Sequence, residues 1–188
     1  MTQHNKAAPP RDTLHAYEHL TPDVVLDALA SVGLSGDGRM MALSSYENRV
    51  YQAHLESPVG SGDLAGETVV VKFYRPDRWS DAQILEEHAF VFELAEREIP
   101  VVAPTPIEGK TLLAHNGFRF AVFPRRGGRA PELEDPKILE WMGRFLGRIH
   151  AVGAISNFAV RASDSRADPP WPLLKRSANS LITPAAIR

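Results

Sequence analysis

Apolar positions recur along this chain with two different periods, and each change of period marks a change of element. "TPDVVLDALASVGL" reads as a helix: Thr21 is placed to cap it, Pro22 suits its first turn, Asp23 complements its positive end, and Gly33 closes it. "MALSSYENRVYQAHLES" begins a strand pair and alternates in its second half, with Val50, Gln52 and His54 against Tyr51, Ala53 and Leu55. The Gly-rich connection "SPVGSGDLAGE" leads into "TVVVKFY", whose β-branched and aromatic residues predict a third strand.

"SDAQILEEHAFVFELAEREIP" returns to helical spacing, with Ile84, His88, Val91 and Leu94 on one face. Ser80 and Gln83 have the spacing of a capping box, and Pro100 blocks continuation. "TLLAHNGFRFAVFPRRGG" predicts two strands around the hairpin turn His115-Asn116-Gly117, ended by Pro124 and Gly127-Gly128. "DPKILEWMGRFLGRIHAVG" predicts a further helix, capped by Asp135, with Pro136 in its first turn and Ile138, Met142, Phe145 and Ile149 as its apolar stripe. Residues 1–19 are polar, contain Pro9-Pro10 and read as a disordered tail. After Ser156 the pattern weakens, and Asp168-Pro169-Pro170-Trp171-Pro172 is no helix interior.

Lys72 is the misfit in this pattern. Alternation puts Val69, Val71 and Phe73 on one side of their strand and Val70, Lys72 and Tyr74 on the other. On an exposed face such a lysine simply lays its stem along the sheet. If partly buried it needs an anion, because an unpaired buried ammonium costs several kcal/mol. The following helix offers Glu86 and Glu87 from its second turn. A strand lysine facing a helix glutamate after a strand hairpin is how protein-kinase-like folds hold ATP phosphates.

Composition narrows the field without choosing within it. The chain has 188 residues, 44% hydrophobic and 23% charged, enough for a soluble core. With 21 basic and 23 acidic residues the net charge is −2, which gives no reason to expect a nucleic-acid partner. There is no cysteine, so disulfides and thiolate metal sites are excluded. No signal-type segment or membrane span is found, and a cytoplasmic location is expected.

Other motif matches fail. "EGKT" at Glu108–Thr111 resembles the end of a phosphate loop, but Pro104 stands where that loop needs its first glycine, so Glu108-Gly109 reads as a turn. His15 and His19 have helical spacing but no third ligand nearby, so no metal site is assigned. There is no "GxSxG" nucleophile elbow.

Taken together, "SYENRVYQ", "VVKFYRPDRW", "QILEEH", "GFRFAVFP" and "MGRFLGRIH" resemble the N-terminal half of the bacterial stress response kinase A family, from about Leu20 to Ile149. That family is similar to aminoglycoside and choline kinases and carries protein Ser/Thr kinase activity. The resemblance implies an α+β fold: a protein-kinase-like N-lobe, an antiparallel sheet of about five strands with a helix packed on it. It divides the chain into a tail (1–19), the N-lobe (20–124), and a hinge with the incomplete start of a helical C-lobe (125–188). It makes Lys72 the phosphate-binding lysine and favours Glu87 over Glu86 as its partner, since Glu87 holds the glutamate's place in the related "REAEAL" pattern. "LSSYENRVYQ" becomes the loop over the phosphates, lacking glycine as in the relatives, with Ser45 and Asn48 donating to phosphate oxygens. By spacing, Phe123 supplies a carbonyl and Arg125 an N–H to adenine, Pro124 having no N–H to give; the bland reading of Arg125, Arg126 and Arg129 is a solvated turn.

The resemblance also implies ATP and Mg2+, a monomer, no membrane or nucleic-acid partner, and cytoplasmic stress signalling that opposes toxin-triggered cell death; it names no protein substrate. Yet the related "HGDxHxxN" is absent, and no aspartate here has an asparagine five residues on. The expectation is therefore a truncated kinase with the ATP grip but no catalytic residues and no metal ligands, inactive alone. The alternatives are a non-catalytic nucleotide- or partner-binding module and a fragment of an aminoglycoside- or choline-type kinase. Half of a two-lobe protein should also leave the Ile138/Met142/Phe145 helix short of apolar partners and be poorly soluble, with Trp171 loosely packed.

Overall fold

A computed structural model describes residues 15–59, 62, 64–128 and 130–155 of the chain. All of these belong to one compact unit, Met1–Phe158; a second unit, Ala159–Arg188, lies outside the described residues, and so do the tail before His15 and the expectation for Trp171.

Helix α1 (Pro22–Ala30) starts where the sequence places it, with Thr21 Oγ1 accepting from Val24 N at 3.4 Å. Its end is a two-bond motif: Gly33 N donates to Ala30 O and Leu34 N to Leu29 O, each at 3.0 Å. The reversal needs a left-handed residue, and Gly33 supplies it at φ +79° without a side chain to strain. The helix buries Val25, Ala28 and Leu29.

Strands β1 (Gly36–Leu43), β2 (Arg49–Val59), β3 (Gly66–Phe73), β4 (Leu113–His115) and β5 (Phe118–Pro124) form one antiparallel sheet in the order β1-β2-β3-β5-β4. The five-stranded α+β architecture is the expected one. β1 begins earlier than its alternation suggests, because the register slips between Gly36 and Met40 and an irregular ladder hides the period of two. The β4–β5 turn is carried by Asn116 (φ +46°) and Gly117 (φ +80°), the left-handed pair that a tight hairpin requires. Glu108 and Gly109 make a second such turn inside the bridge between Ile107 and Lys110.

One sheet face carries the main core. Val69, Val71 and Phe73 pack with Ala53, Leu55, Phe118, Phe120, Val122 and the buried side of α1, and Phe73 stacks on Phe120 with centroids 5.4 Å apart. The other face receives α2 (Asp81–Glu96), through Ile84 against Tyr74 and Ala121. The capping box is present: Ser80 Oγ accepts from Gln83 N at 3.3 Å, and Gln83 Oε1 accepts from Ser80 N at 2.9 Å. Helix α3 (Pro136–Ile155) opens on Asp135, whose Oδ1 accepts from Lys137 N at 2.8 Å. It meets α2 where Val152, Phe145 and Ile149 gather around Leu94, Ile99 and Phe90, and it leaves Leu139, Trp141 and Leu146 exposed.

Helix α3, which follows Pro124, packs on the end of α2. His15–Tyr17 is a 3-10 turn and Tyr17 packs against the core, so structure begins before Leu20, inside the stretch expected as tail. A polar stretch gives no hint that one aromatic in it is anchored.

Phe73 is fully buried and touches the rings of Tyr51, Phe118 and Phe120. Phe73→Ala should lower stability by about 3–5 kcal/mol, read as a fall in the urea midpoint; an unchanged midpoint would contradict this packing.

Candidate nucleotide site

Lys72 ends its stem in an ion pair. Its Nζ donates to Glu87 Oε1 at 2.9 Å and stands 4.6 Å from the centroid of the Tyr74 ring. Of the two candidate acids, Glu87 is the one it meets. The lysine side chain is 20% exposed and the carboxylate 53%. A pair that wet contributes little to stability, about 0–1 kcal/mol. Its consequence is geometric: the ammonium is held at one place beneath the sheet while keeping donors to spare.

The β1–β2 loop closes level with Lys72 because of the register. Leu43 pairs with Val50, Val50 with Lys72, and Lys72 with Ala121. The loop of residues 44–48 therefore closes in the same cross-strand row as the lysine. None of its residues has a left-handed φ, which is the physical reason it needs no glycine. Its second half is anchored: Glu47 O accepts from the Tyr17 hydroxyl at 2.9 Å, Glu47 Oε1 accepts from Arg78 Nε, and Asn48 Oδ1 accepts from Arg75 N at 3.3 Å. Burial pushes the Tyr17 hydroxyl up to about 12, so it stays a donor at neutral pH. The Asn48 carbonyl oxygen is thus taken, and only its NH2 remains to donate elsewhere. Ser45 is part-buried in the first half, next to Tyr46, which is 97% exposed.

The end of β5 corrects one expectation. Tyr74 N donates to Arg119 O at 2.9 Å, which makes 74–119 a hydrogen-bonded pair of the ladder. Counting by two along the register, Lys72–Ala121 and Val70–Phe123 are hydrogen-bonded pairs as well. The Phe123 carbonyl is therefore turned into the sheet toward Val70 and is not available to adenine. Ladder parity is invisible to spacing along the chain. Val122, of opposite parity, aims its carbonyl the other way and accepts from Thr105 N at 2.8 Å. Pro124 shares that parity, so its missing N–H costs the ladder nothing. The part-buried ring of Phe123 lies on Lys72's face, packed against the Tyr74, Ile84 and Ala121 cluster. Arg125 is exposed just past the strand.

Three polar side chains beneath the pair join in a way that spacing along the chain does not announce. The Tyr74 hydroxyl and His88 Nε2 share a hydrogen bond of 2.6 Å, and His88 Nδ1 and Thr111 Oγ1 another of 2.8 Å. Tyr74 is 1% exposed and His88 2%. The available signal was a histidine midway along an apolar helix face, since such a group must find partners. Burial holds His88 below the ordinary histidine value, with Glu87 pulling it back up and Lys72 pushing it further down. Burial, then Glu87, raises the Tyr74 hydroxyl.

The cation of Lys72, level with a donor-bearing loop, suits the anionic chain of a nucleoside triphosphate. A divalent ion is not matched in the same way: among the described residues no group of three His, Cys, Asp or Glu could hold one.

Residues 40–185 match the model of the phosphotransferase enzyme family, and the chain belongs to that family. Within it the chain is similar to stress response kinase A of Escherichia coli (strain K12), 47% identical over 145 residues that make up 77% of this chain and 42% of that protein. It is likewise similar to the serine/threonine protein kinase RdoA of Salmonella typhimurium (strain LT2), 43% identical over 150 residues, 80% of this chain and 43% of the relative. The chain thus spans less than half the length of these relatives. Amicoumacin kinase hAmiN, solved with AMP-PNP, Ca2+ and Ami, has the same fold: its TM-score is 0.56 at 22% identity, over 71% of this chain and 40% of that one. No helix among the described residues is long and apolar enough to cross a membrane.

Because His88 is held neutral in the fold, the unfolded chain binds its proton first as pH falls. Its contribution to stability is complete above the ordinary value of 6.5 and is lost as pH drops below it toward the lower folded value. The melting temperature of the wild type should therefore fall more steeply between pH 7 and pH 5 than that of His88→Gln. Parallel curves would refute this.

Proposed function

We propose that these residues are the nucleotide-gripping lobe of an ATP-dependent protein serine/threonine kinase of the stress-response kind. The contact between Lys72 Nζ and Glu87 carries the reading. Glu87 orients the ammonium, and the ammonium's remaining donors take the α- and β-phosphate oxygens. The Ser45 hydroxyl, the Asn48 NH2 and the loop's backbone N–H groups donate to the same anionic chain. Adenine lies at the end of β5 over the Phe123 ring, bonding to the Pro124 carbonyl in place of the Phe123 one; the Arg125 N–H expected to serve it has the parity of Phe123, faces Thr68 across the ladder and is given up as well. The names of the relatives support both the chemistry and the stress-response assignment.

When bound, a divalent ion would shield the phosphates; its ligands in related kinases are the asparagine of "HGDxHxxN", a pattern these 188 residues do not contain, and a separate aspartate. The part this chain's own residues play is to bind and orient. In this reading the protein acts in the cytoplasm as a monomer on a hydroxyl of another protein.

An ATP analogue titrated into the 188-residue chain should bind, and Lys72→Ala should weaken it about tenfold or more, the loss of one charge-assisted contact. Equal affinity in both would remove Lys72 from the site. The wild-type chain incubated alone with ATP and magnesium should gain no phosphate by mass spectrometry; autophosphorylation would show that this chain supplies a catalytic set of its own.

A further inference from the structure

We infer that Tyr74, His88 and Thr111 are positioning residues: a buried hydrogen-bonded brace that sets the rotation of α2 so that Glu87 reaches Lys72. Its value for phosphate binding rests on the nucleotide reading above; the brace itself does not.

The brace touches both halves of the ion pair. Tyr74 is two residues from Lys72 on the same side of the chain, and the lysine Nζ sits 4.6 Å from its ring centroid. The same tyrosine's hydroxyl meets His88 Nε2 at 2.6 Å, and His88 directly follows Glu87. On its other nitrogen, His88 meets Thr111 at 2.8 Å, in the segment that leads into β4. Three stretches of chain, the end of β3, the middle of α2 and the approach to β4, are thereby joined at one imidazole.

Apolar packing alone would not do this. α2 buries Ile84 and Leu94 on either side of His88, and contacts between aliphatic groups tolerate small rotations of a helix. Hydrogen bonds weaken steeply with angle, so two of them on opposite edges of one ring fix the helix about its axis. Successive residues of a helix are about 100° apart, so the setting of His88 fixes that of Glu87.

A neutral imidazole donates from one nitrogen and accepts at the other. Either direction, Tyr74 to His88 to Thr111 or the reverse, makes both bonds, and the hydroxyl that accepts at the far end still has its own proton to place. The ionisable groups facing the ring are Glu87 from its own helix and Lys72 and Tyr74 from the sheet. Thr111 is part-exposed, whereas Tyr74, at 1%, has little access to water for its hydroxyl proton. Among the described residues, the Tyr74–His88 bond is where a loss would be felt most.

The test reads the pair directly, without nucleotide. The rate at which an acetylating reagent modifies Lys72 is followed by mass spectrometry in the 188-residue chain, with circular dichroism melts confirming that each variant is folded. Tyr74→Phe removes the hydroxyl and keeps the ring beneath Nζ; Thr111→Val removes the outer bond from a part-exposed site and carries the test should Tyr74→Phe not fold. Both should raise Lys72 acetylation severalfold, as should Glu87→Gln. In the Glu87→Gln background Tyr74→Phe should add nothing, because it acts only through the carboxylate. Should Glu87→Gln accelerate acetylation while Tyr74→Phe and Thr111→Val leave the wild-type rate, the three residues are ordinary core and the inference fails. Additive effects in the double variant would overturn it too. If Glu87→Gln itself changes nothing, the pair does not hold in solution and the brace has nothing to position. A wild type that shows the expected acetylation pattern but binds no ATP analogue would sink the nucleotide reading and leave the brace standing.

Discussion

A cation on the inner side of a sheet has to be met by an anion from another element, and that requirement organises this half of the fold. Lys72 is placed by β3, whose opposite face is committed to the core through Val69, Val71 and Phe73. A slip of one residue in β3 would exchange these faces, putting the ammonium into the apolar core and two valines and a phenylalanine outside it. The register that buries the core is therefore the same register that presents the lysine to α2. Core packing and the site are not separate achievements of the sequence.

Meeting that cation is a matter of how α2 is held, and the helix is fastened at three places. At its start are the capping box and Arg119, whose Nη1 donates to Asp81 Oδ1 at 2.7 Å and to Trp79 O at 2.6 Å. At its far end Leu94 and Ile99 pack on Val152 of α3, and Arg148 donates to Glu98 O at 3.1 Å. Fastening both ends fixes where the helix lies along the sheet. Contacts so far from Glu87 have less hold on its rotation than the bonded histidine one residue away. α3 also covers only the end of α2, which is why its own Leu139, Trp141 and Leu146 stay exposed.

Local signals were legible and relational ones were not. The α2 capping box, the Asn116-Gly117 hairpin and the Thr21 cap depend on residues within a few positions of each other, and sequence shows such spacings directly. Lys72 was legible as a misfit, and Glu87 as its partner only with a family resemblance to separate it from Glu86. The Phe123 carbonyl was misassigned because its direction is set by pairing with Val70, far away in sequence. Tyr17 looked like tail because its partner, the Glu47 carbonyl, lies thirty residues on. His88 was read correctly as facing inward; nothing in the helix announced that Tyr74 and Thr111 would arrive to satisfy it.

In the nucleotide reading proposed above, the β1–β2 loop would meet phosphate by physical means opposite to those of a glycine-rich loop. A glycine-rich loop follows a ligand by being flexible, and ordering it on binding costs conformational entropy. Here the loop has no left-handed position, so glycine is unnecessary, and Tyr17, Arg75 and Arg78 hold its second half before any ligand arrives. Such a loop gives up adaptability and carries a smaller ordering cost. The Arg78 anchor on Glu47 also ties it to the turn that precedes α2, since Arg78 lies just before Ser80. The loop, the lysine strand and the glutamate helix are thus linked through short side-chain bonds. A displacement of α2 that released Glu87 from Lys72 would strain the loop as well, so the two halves of the grip are set together.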